Sequence, residues 1–301
     1  MSQKIFYILI RHFTFTKLVF LLYYSYVIKV TVATLALRNE LDSWLCTKEQ
    51  EIGCDSLASE SAIAHLQENV TFVPDYNSAL KIMFLGDSLT YGVRGISDRD
   101  SGGYRLELWK KFAADALPVK FVGSVSSGPE ALGDKNHEGH PGWTIKQISA
   151  QIEQWLIAAQ PDLILLMLGT NDTGRSSLKT MIEDLNTLID QITNCSPKIQ
   201  LLVASIPPIH PLTKPVIRSI RAMYFNAAIP SILDAKRVQG KNVSFVDMKS
   251  LTIEDLTASQ SFALDKGLHP NNEGYRKIAN HWHDAVFNLI SIRQTISTST
   301  Y

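Results

Sequence analysis

Predominantly apolar runs, rich in branched side chains, recur at 81–86, 119–125, 162–169, 199–206 and 243–248. Between them lie longer segments in which apolar positions return every three or four residues, over 104–116, 144–159, 176–193, 215–238 and 271–290. A run that is apolar at most positions, without polar alternation, has little solvent face. It reads as a strand covered on both sides, and the helical segments supply the cover. Alternation of the two predicts a single flavodoxin-like three-layer α/β/α sandwich around a five-stranded parallel sheet, spanning 79–292, with 293–301 as a C-terminal tail.

Polar blocks stand where several of the apolar runs end. Gly86-Asp87-Ser88-Leu89-Thr90 closes the first, and Gly169-Thr170-Asn171-Asp172 closes the third. Asn136-His137-Glu138-Gly139-His140-Pro141-Gly142-Trp143-Thr144 follows the second, and Asp265-Lys266-Gly267-Leu268-His269-Pro270-Asn271 opens the last helix. In an open parallel sheet the carboxyl ends of the strands share one edge, where ligands bind, so the topology brings these blocks together. Ser88, at a sharp strand-to-helix turn, is the candidate nucleophile. It needs a base, a group that orients the base, and donors for an oxyanion. By itself Ser88 also fits an ordinary helix cap, and the lack of a second glycine in Gly86-Asp87-Ser88-Leu89-Thr90 argues against an α/β-hydrolase elbow. His269, fixed by Pro270, is the candidate base. His137 and His140 fit substrate contact or local hydrogen bonding, and His281 and His283, two apart on a helix, make a poor chelating pair.

Gly86-Asp87-Ser88-Leu89, Gly142, Gly169-Thr170-Asn171-Asp172 and His269-Pro270 resemble, in order, the four blocks of the SGNH (GDSL-type) hydrolase superfamily. Gly103-Tyr104-Arg105-Leu106-Glu107-Leu108, Phe121-Val122-Gly123-Ser124, Ser127-Gly128-Pro129 and Asp134 to Ile145 further resemble carbohydrate esterase family 3, the acetyl xylan esterases. The resemblance spans roughly 80 to 290. It implies acyl transfer through Ser88 and His269, with the Ser88 N–H, the Gly142 N–H and the Asn171 amide as the oxyanion hole. It implies acetylated polysaccharide or a small ester as substrate, and neither metal nor organic cofactor. Trp143, beside the oxyanion glycine, offers a flat face to a sugar ring or a wall to the acyl chain, and Tyr104 joins it as a candidate substrate contact. Arg105 is expected to tie loops together. The superfamily pattern places the orienting aspartate three residues before the histidine, but Lys266 stands there. Asp265, one residue further back, is the expected acid, since Gly267 can absorb an inserted residue. Asp247 after the fifth strand, or a Ser–His dyad without an acid, are the alternatives.

The 301 residues carry 29 basic and 29 acidic side chains with 45% hydrophobic content, enough for one sizeable core and no electrostatic reason to seek nucleic acid. Lys4, Arg11, His12 and Lys17 precede a stretch over 18–37 that is apolar apart from Lys29. Residues 1–37 therefore read as a secretion signal cut at Ala33 or Ala36, or else a signal-anchor holding the hydrolase outside the cytoplasm. Membrane contact is expected only in the second case. Residues 38–78 form a poorly defined extension in which Cys46 and Cys54 can close a local loop, leaving Cys195 over. Sequons at Asn69, Asn194 and Asn242 fit a secreted glycoprotein, and a further one at Asn171 is expected bare because a glycan there would block the site.

Overall fold

The computed structural model describes residues 28, 30–43, 79–94, 98, 100–211, 213, 215, 217–256 and 267–298, with side chains to 291. Asp265 and Lys266, the pair Cys46 and Cys54, the sequon at Asn69 and most of the leader and extension lie outside the described residues.

Strand β1 (Leu80–Gly86) is the axis of the sheet. Along one edge it pairs in parallel with β5 (Leu163–Met167), from Ile82 opposite Leu163 to Gly86 opposite Met167. Beyond β5, β6 (Gln200–Ala204) and β7 (Val243–Val246) continue in parallel. The other edge of β1 is divided. β2 (Val119–Val122) pairs with Leu80–Met83, while β4 (Asn136–Gly139) pairs with Leu85 and Gly86. The short β3 (Val125–Ser126) lies antiparallel on β4. The five expected parallel strands are thus present in flavodoxin-like order, and the hairpin of β3 and β4 is an addition that the apolar runs do not announce. The second run stops at Val122 because Gly123, at φ 150°, turns the chain so closely past β4 that a Cβ would lie 2.3 Å from the His137 backbone.

Successive side chains of a strand point to opposite faces, and each face has its own core. Met83, Leu85, Ile164, Leu166, Leu201 and Val203 pack under α4 (Ile145–Ser149), α5 (Ile152–Ala159), α6 (Leu178–Cys195) and α7 (Ile217–Val238). Ile82, Phe84, Leu163, Leu165, Met167 and Leu202 pack under α3 (Gly103–Ala114) and α8 (Asn272–Thr298), around a fully buried Trp282. Between β1 and α3 stands the single turn of α2 (Ser88–Tyr91). The helix expected over 144–159 is two helices. At Gln151 (φ −118°) the α ladder lapses, and its N–H donates three residues back to Ile148.

A further helix, α1 (30–43), docks on the first core through Leu37 and Leu41, and the Tyr224 hydroxyl of α7 donates to its Thr34 carbonyl at 3.3 Å. Ala33 and Ala36 lie within this helix. Among the described residues no helix is long and apolar enough to cross a membrane.

Candidate active site

The site is assembled at the carboxyl ends of β1, β4 and β5. At the end of β1 only glycine fits position 86, because a Cβ would meet Thr90 Oγ1 at 2.3 Å and the Met167 carbonyl at 2.4 Å. Asp87 then caps α2, its Oδ1 accepting from Leu89 N at 3.0 Å, and Gly92 closes the helix in the left-handed conformation. Ser88 opens that helix and keeps 9% of its surface accessible. Its Oγ lies 2.9 Å from His269 Nε2.

His269 arrives from 181 residues downstream on a loop whose position is set by its neighbour. Asn271 donates through Nδ2 to the Glu254 and Leu256 carbonyls at 2.8 and 3.1 Å, and its N–H donates to the Asp255 carbonyl at 2.8 Å. Its Oδ1 accepts from Gly274 N at 3.0 Å, which caps α8. His269 therefore hangs between the 3₁₀ turn Ile253–Asp255 and the start of α8. Asp247, the alternative acid, is exposed. Its Oδ1 accepts from Lys249 N, and Oδ2 lies 3.9 Å from Lys249 Nζ.

Asn171 stands after β5, where Gly169 (φ 126°) passes so near Phe225 that a Cβ would lie 2.7 Å from its ring. The Asn171 amide donates to the Trp143 carbonyl at 2.9 Å and reaches Asp87 Oδ2 at 3.5 Å. The loop is braced from α7. Arg218, 8% exposed, donates to Thr173 Oγ1 at 3.1 Å and to the Thr170 carbonyl at 2.9 Å, and Arg221 donates to the Thr173 carbonyl at 3.0 Å. Gly142 lies in the turn His140-Pro141-Gly142-Trp143, closed by Trp143 N donating to the His140 carbonyl at 3.1 Å. Its φ is 83°, and Arg175 donates to its carbonyl at 2.6 Å. Both oxygens of Asp172 accept from Ile145 N at 3.2 Å, tying α4 to the Asn171 loop.

Burial sets the charge states around the site. It raises the Asp87 carboxyl to about 6, against the opposing pull of the Leu89 N–H and the nearby His269 ring. It raises Asp172 to about 7, against the Ile145 N–H. His137, which the sequence leaves between ligand and structural roles, is buried and pushed down to about 2 by desolvation and then by Arg105. Its Nδ1 accepts from Gly139 N at 2.9 Å, so Nε2–H donates to Ser127 Oγ at 2.7 Å and the ring is structural.

One expected contact is corrected. Tyr104 is fully buried between Phe84 and Trp282, with its hydroxyl 2.8 Å from Thr90 Oγ1, so it offers nothing to a substrate. The next residue behaves as expected, since Arg105 donates to the Thr90 and Tyr91 carbonyls at 2.8 Å and to those of Ser127 and Lys135. Trp143 is half-buried beside Gly142. His281 and His283 hold Ser250 and Asp115 separately on the surface of α8. Among the described residues no group of three His, Cys, Asp or Glu could hold a metal ion. Asp87, Asp172 and Glu138, which stand in the motif blocks without an assigned role, and Arg175 and Arg218, which stand outside them, are also brought to this region. The two arginines fall in loop and helical segments, where a lone charge looks like a solvated position.

Fold and site together define the class: a three-layer α/β/α hydrolase of the SGNH type. The chain belongs to the GDSL-like lipase/acylhydrolase family, whose pattern it matches over residues 84–277. A family 3 carbohydrate esterase of Clostridium thermocellum superposes with a TM-score of 0.60 at 35% identity, covering 72% of this chain and 100% of that one. An acetyl esterase solved with an acetate ion superposes with a TM-score of 0.57 at 27% identity, covering 70% of this chain and 98% of that one. A multidomain esterase of Ruminococcus flavefaciens is 29% identical over 231 residues, 67% of this chain and 28% of that much longer protein. By family, then, the domain is a carboxylic ester hydrolase.

Proposed function

We propose that the protein is a serine esterase that removes short acyl groups, acetyl above all, from polysaccharide such as xylan, and does so with neither metal nor organic cofactor. The 2.9 Å contact between Ser88 Oγ and His269 Nε2 carries this reading. As Oγ adds to the ester carbonyl, its proton passes to His269 Nε2. The oxyanion is held by the Ser88 N–H, the Gly142 N–H and the Asn171 amide, whose long 3.5 Å contact to Asp87 Oδ2 gives way to it. Collapse breaks the bond to the sugar oxygen, which takes the proton from His269, and leaves an acyl-serine. Water then adds with His269 as base, and the second collapse frees the carboxylic acid and returns the proton to Oγ. Asp265 orients the imidazole, and each oxyanion donor contributes about 3 kcal/mol at the barrier.

The acetyl preference is supported by the likeness to an acetyl esterase, and the polysaccharide by the likeness to a carbohydrate esterase. Trp143 is the proposed wall for the sugar or the acyl group. The protein is proposed to act outside the cytoplasm, with 1–37 as signal or signal-anchor, 38–78 as extension and 79–292 as the hydrolase domain. Glycans would sit at Asn194, exposed at the end of α6, and at Asn242. A cut at Ala33 or Ala36 would remove the first turns of α1 and leave Leu37 and Leu41 docked, which N-terminal sequencing of the exported protein reads directly.

An acyl-length series of p-nitrophenyl esters tests the substrate. Maximal kcat/KM at acetate supports the reading. A maximum at octanoate makes the protein a lipase or thioesterase, and a wild-type rate no higher than background hydrolysis and unchanged in Ser88→Ala makes it a binding relative.

A further inference from the structure

Gly142 is the third residue of a four-residue turn whose second residue is Pro141. Proline fixes its own φ near −65°, and with φ 83° at Gly142 the turn is type II. Types I and II differ by a half-rotation of the central peptide, which here carries the Gly142 N–H. In one form that N–H points to one side of the turn, and in the other form to the opposite side. Placing the oxyanion donor therefore amounts to choosing a turn type.

The two ends of the turn are joined by their side chains. The His140 ring stacks on Trp143 with centroids 4.5 Å apart and planes at 26°, and on Trp155 of α5 at 4.6 Å and 5°. The two indole centroids are 6.2 Å apart, so the imidazole lies over the seam between them. His140 Nε2 lies 2.8 Å from Glu138 Oε2, and that carboxylate, fully buried in β4, also accepts from the Ser124 N–H and hydroxyl. The His140 N–H donates to the Gly86 carbonyl at 3.0 Å, two residues from Ser88. The His140 side chain is thus fixed by two rings and a buried carboxylate that belong to three different elements of the chain.

We infer that His140, held by Glu138 and laid across Trp143 and Trp155, is a positioning residue that locks this turn in the form aiming the Gly142 N–H at the ester. The inference rests on the esterase reading and deepens it. Glu138 fixes the ring from the rigid strand, Trp155 supports it from a separate helix, and Trp143 transmits the constraint across the turn. Arg175 holds the Gly142 carbonyl on the far side. Loss of the stack frees the central peptide to rotate, and the active fraction of molecules falls with the population of the type II form.

The test uses the full chain and p-nitrophenyl acetate. Trp155→Ala and His140→Ala should each lower kcat about tenfold, the loss expected if the competent turn drops to about a tenth of the population, with KM changed less than about twofold. His140→Phe and Trp155→Phe keep the rings, so they should recover part of the loss and show whether folding is intact. In a Gly142→Ala background, where the donor is already misplaced, His140→Ala should cause no further loss, because both act through one N–H. Wild-type kcat in His140→Ala, or losses that multiply in the double variant, would overturn the inference while leaving an active wild type and the esterase reading untouched. A wild type that cleaves no ester sinks the esterase reading itself, and the inference with it.

Discussion

At position 142 a side chain would meet no atom within 4 Å, yet φ there is 83°, which costs an L-residue about 1 kcal/mol or more. Alanine therefore fits the space and not the backbone, and the turn relieves the strain by rotating its central peptide. Gly142→Ala is expected to fold with a melting temperature near that of the wild type while kcat for p-nitrophenyl acetate falls about a hundredfold, the scale for one missing oxyanion donor. An unchanged kcat would remove Gly142 from the site. Gly86 is the opposite case, since its Cβ would strike the Met167 carbonyl, so substitution there costs the fold rather than the chemistry. That Ser88 and His269 meet, with Asn171 and Gly142 nearby, was legible because each stands in a turn-forming block at the end of a strand or the start of a helix. Tyr104 misled because an aromatic beside a family motif looks like a ligand contact, and only packing against Phe84 and Trp282 shows it to be core. The arginines bracing the site were illegible, since Arg218 and Arg221 fall in a helix that also carries exposed charges such as Asp234 and Arg237, and only the fold turns these two toward the Thr170–Thr173 loop.

Among the elements, the start of α8 has the most to do with function. Asn271 serves at once as helix cap and as the anchor of the loop carrying His269. Asn271→Ala removes a cap worth about 1 kcal/mol and frees the carbonyls of Glu254 and Leu256. The expected result is a lower melting temperature together with a lower kcat, because His269 Nε2 is no longer held 2.9 Å from Ser88 Oγ. A stability loss with unchanged kcat would show that Pro270 alone fixes the base. The five parallel strands were legible because burial leaves them predominantly apolar, the central β5 (Leu163–Met167) entirely so. β4 was not, since His137 and Glu138 satisfy themselves by hydrogen bonds to Ser127, Ser124 and the His140 ring instead of by apolar packing. The division of 144–159 into α4 and α5 was equally hidden, because apolar periodicity continues across Gln151 where the ladder lapses. That division matters to the site, since α5 carries Trp155.

For the molecule as a whole, the buried carboxyl of Asp172 links stability to pH. Its value in the folded state is raised from 3.8 to about 7, so the native protein binds more protons than the unfolded chain between those limits. Stability from this group is therefore full below the unfolded value and is lost as pH rises through the folded one. Asp172→Asn keeps an oxygen for the Ile145 N–H and cannot ionise, so its melting temperature should decline less than that of the wild type between pH 4 and about 7.5, a window set by those two values. Equal declines would place the pH dependence elsewhere. Across the sheet the two cores, one under α4 to α7 and the other under α3 and α8, hold the carboxyl ends of β1, β4 and β5 in register, and the site is the seam at which they meet. The central claim is that a single hydroxyl at this seam is an activated nucleophile. Treatment of the whole protein with a fluorophosphonate, followed by mass mapping of the labelled peptide, tests it most directly. The account predicts stoichiometric phosphonylation of Ser88, with loss of labelling in His269→Ala. Labelling at any other residue, or none in a folded wild type, would contradict it.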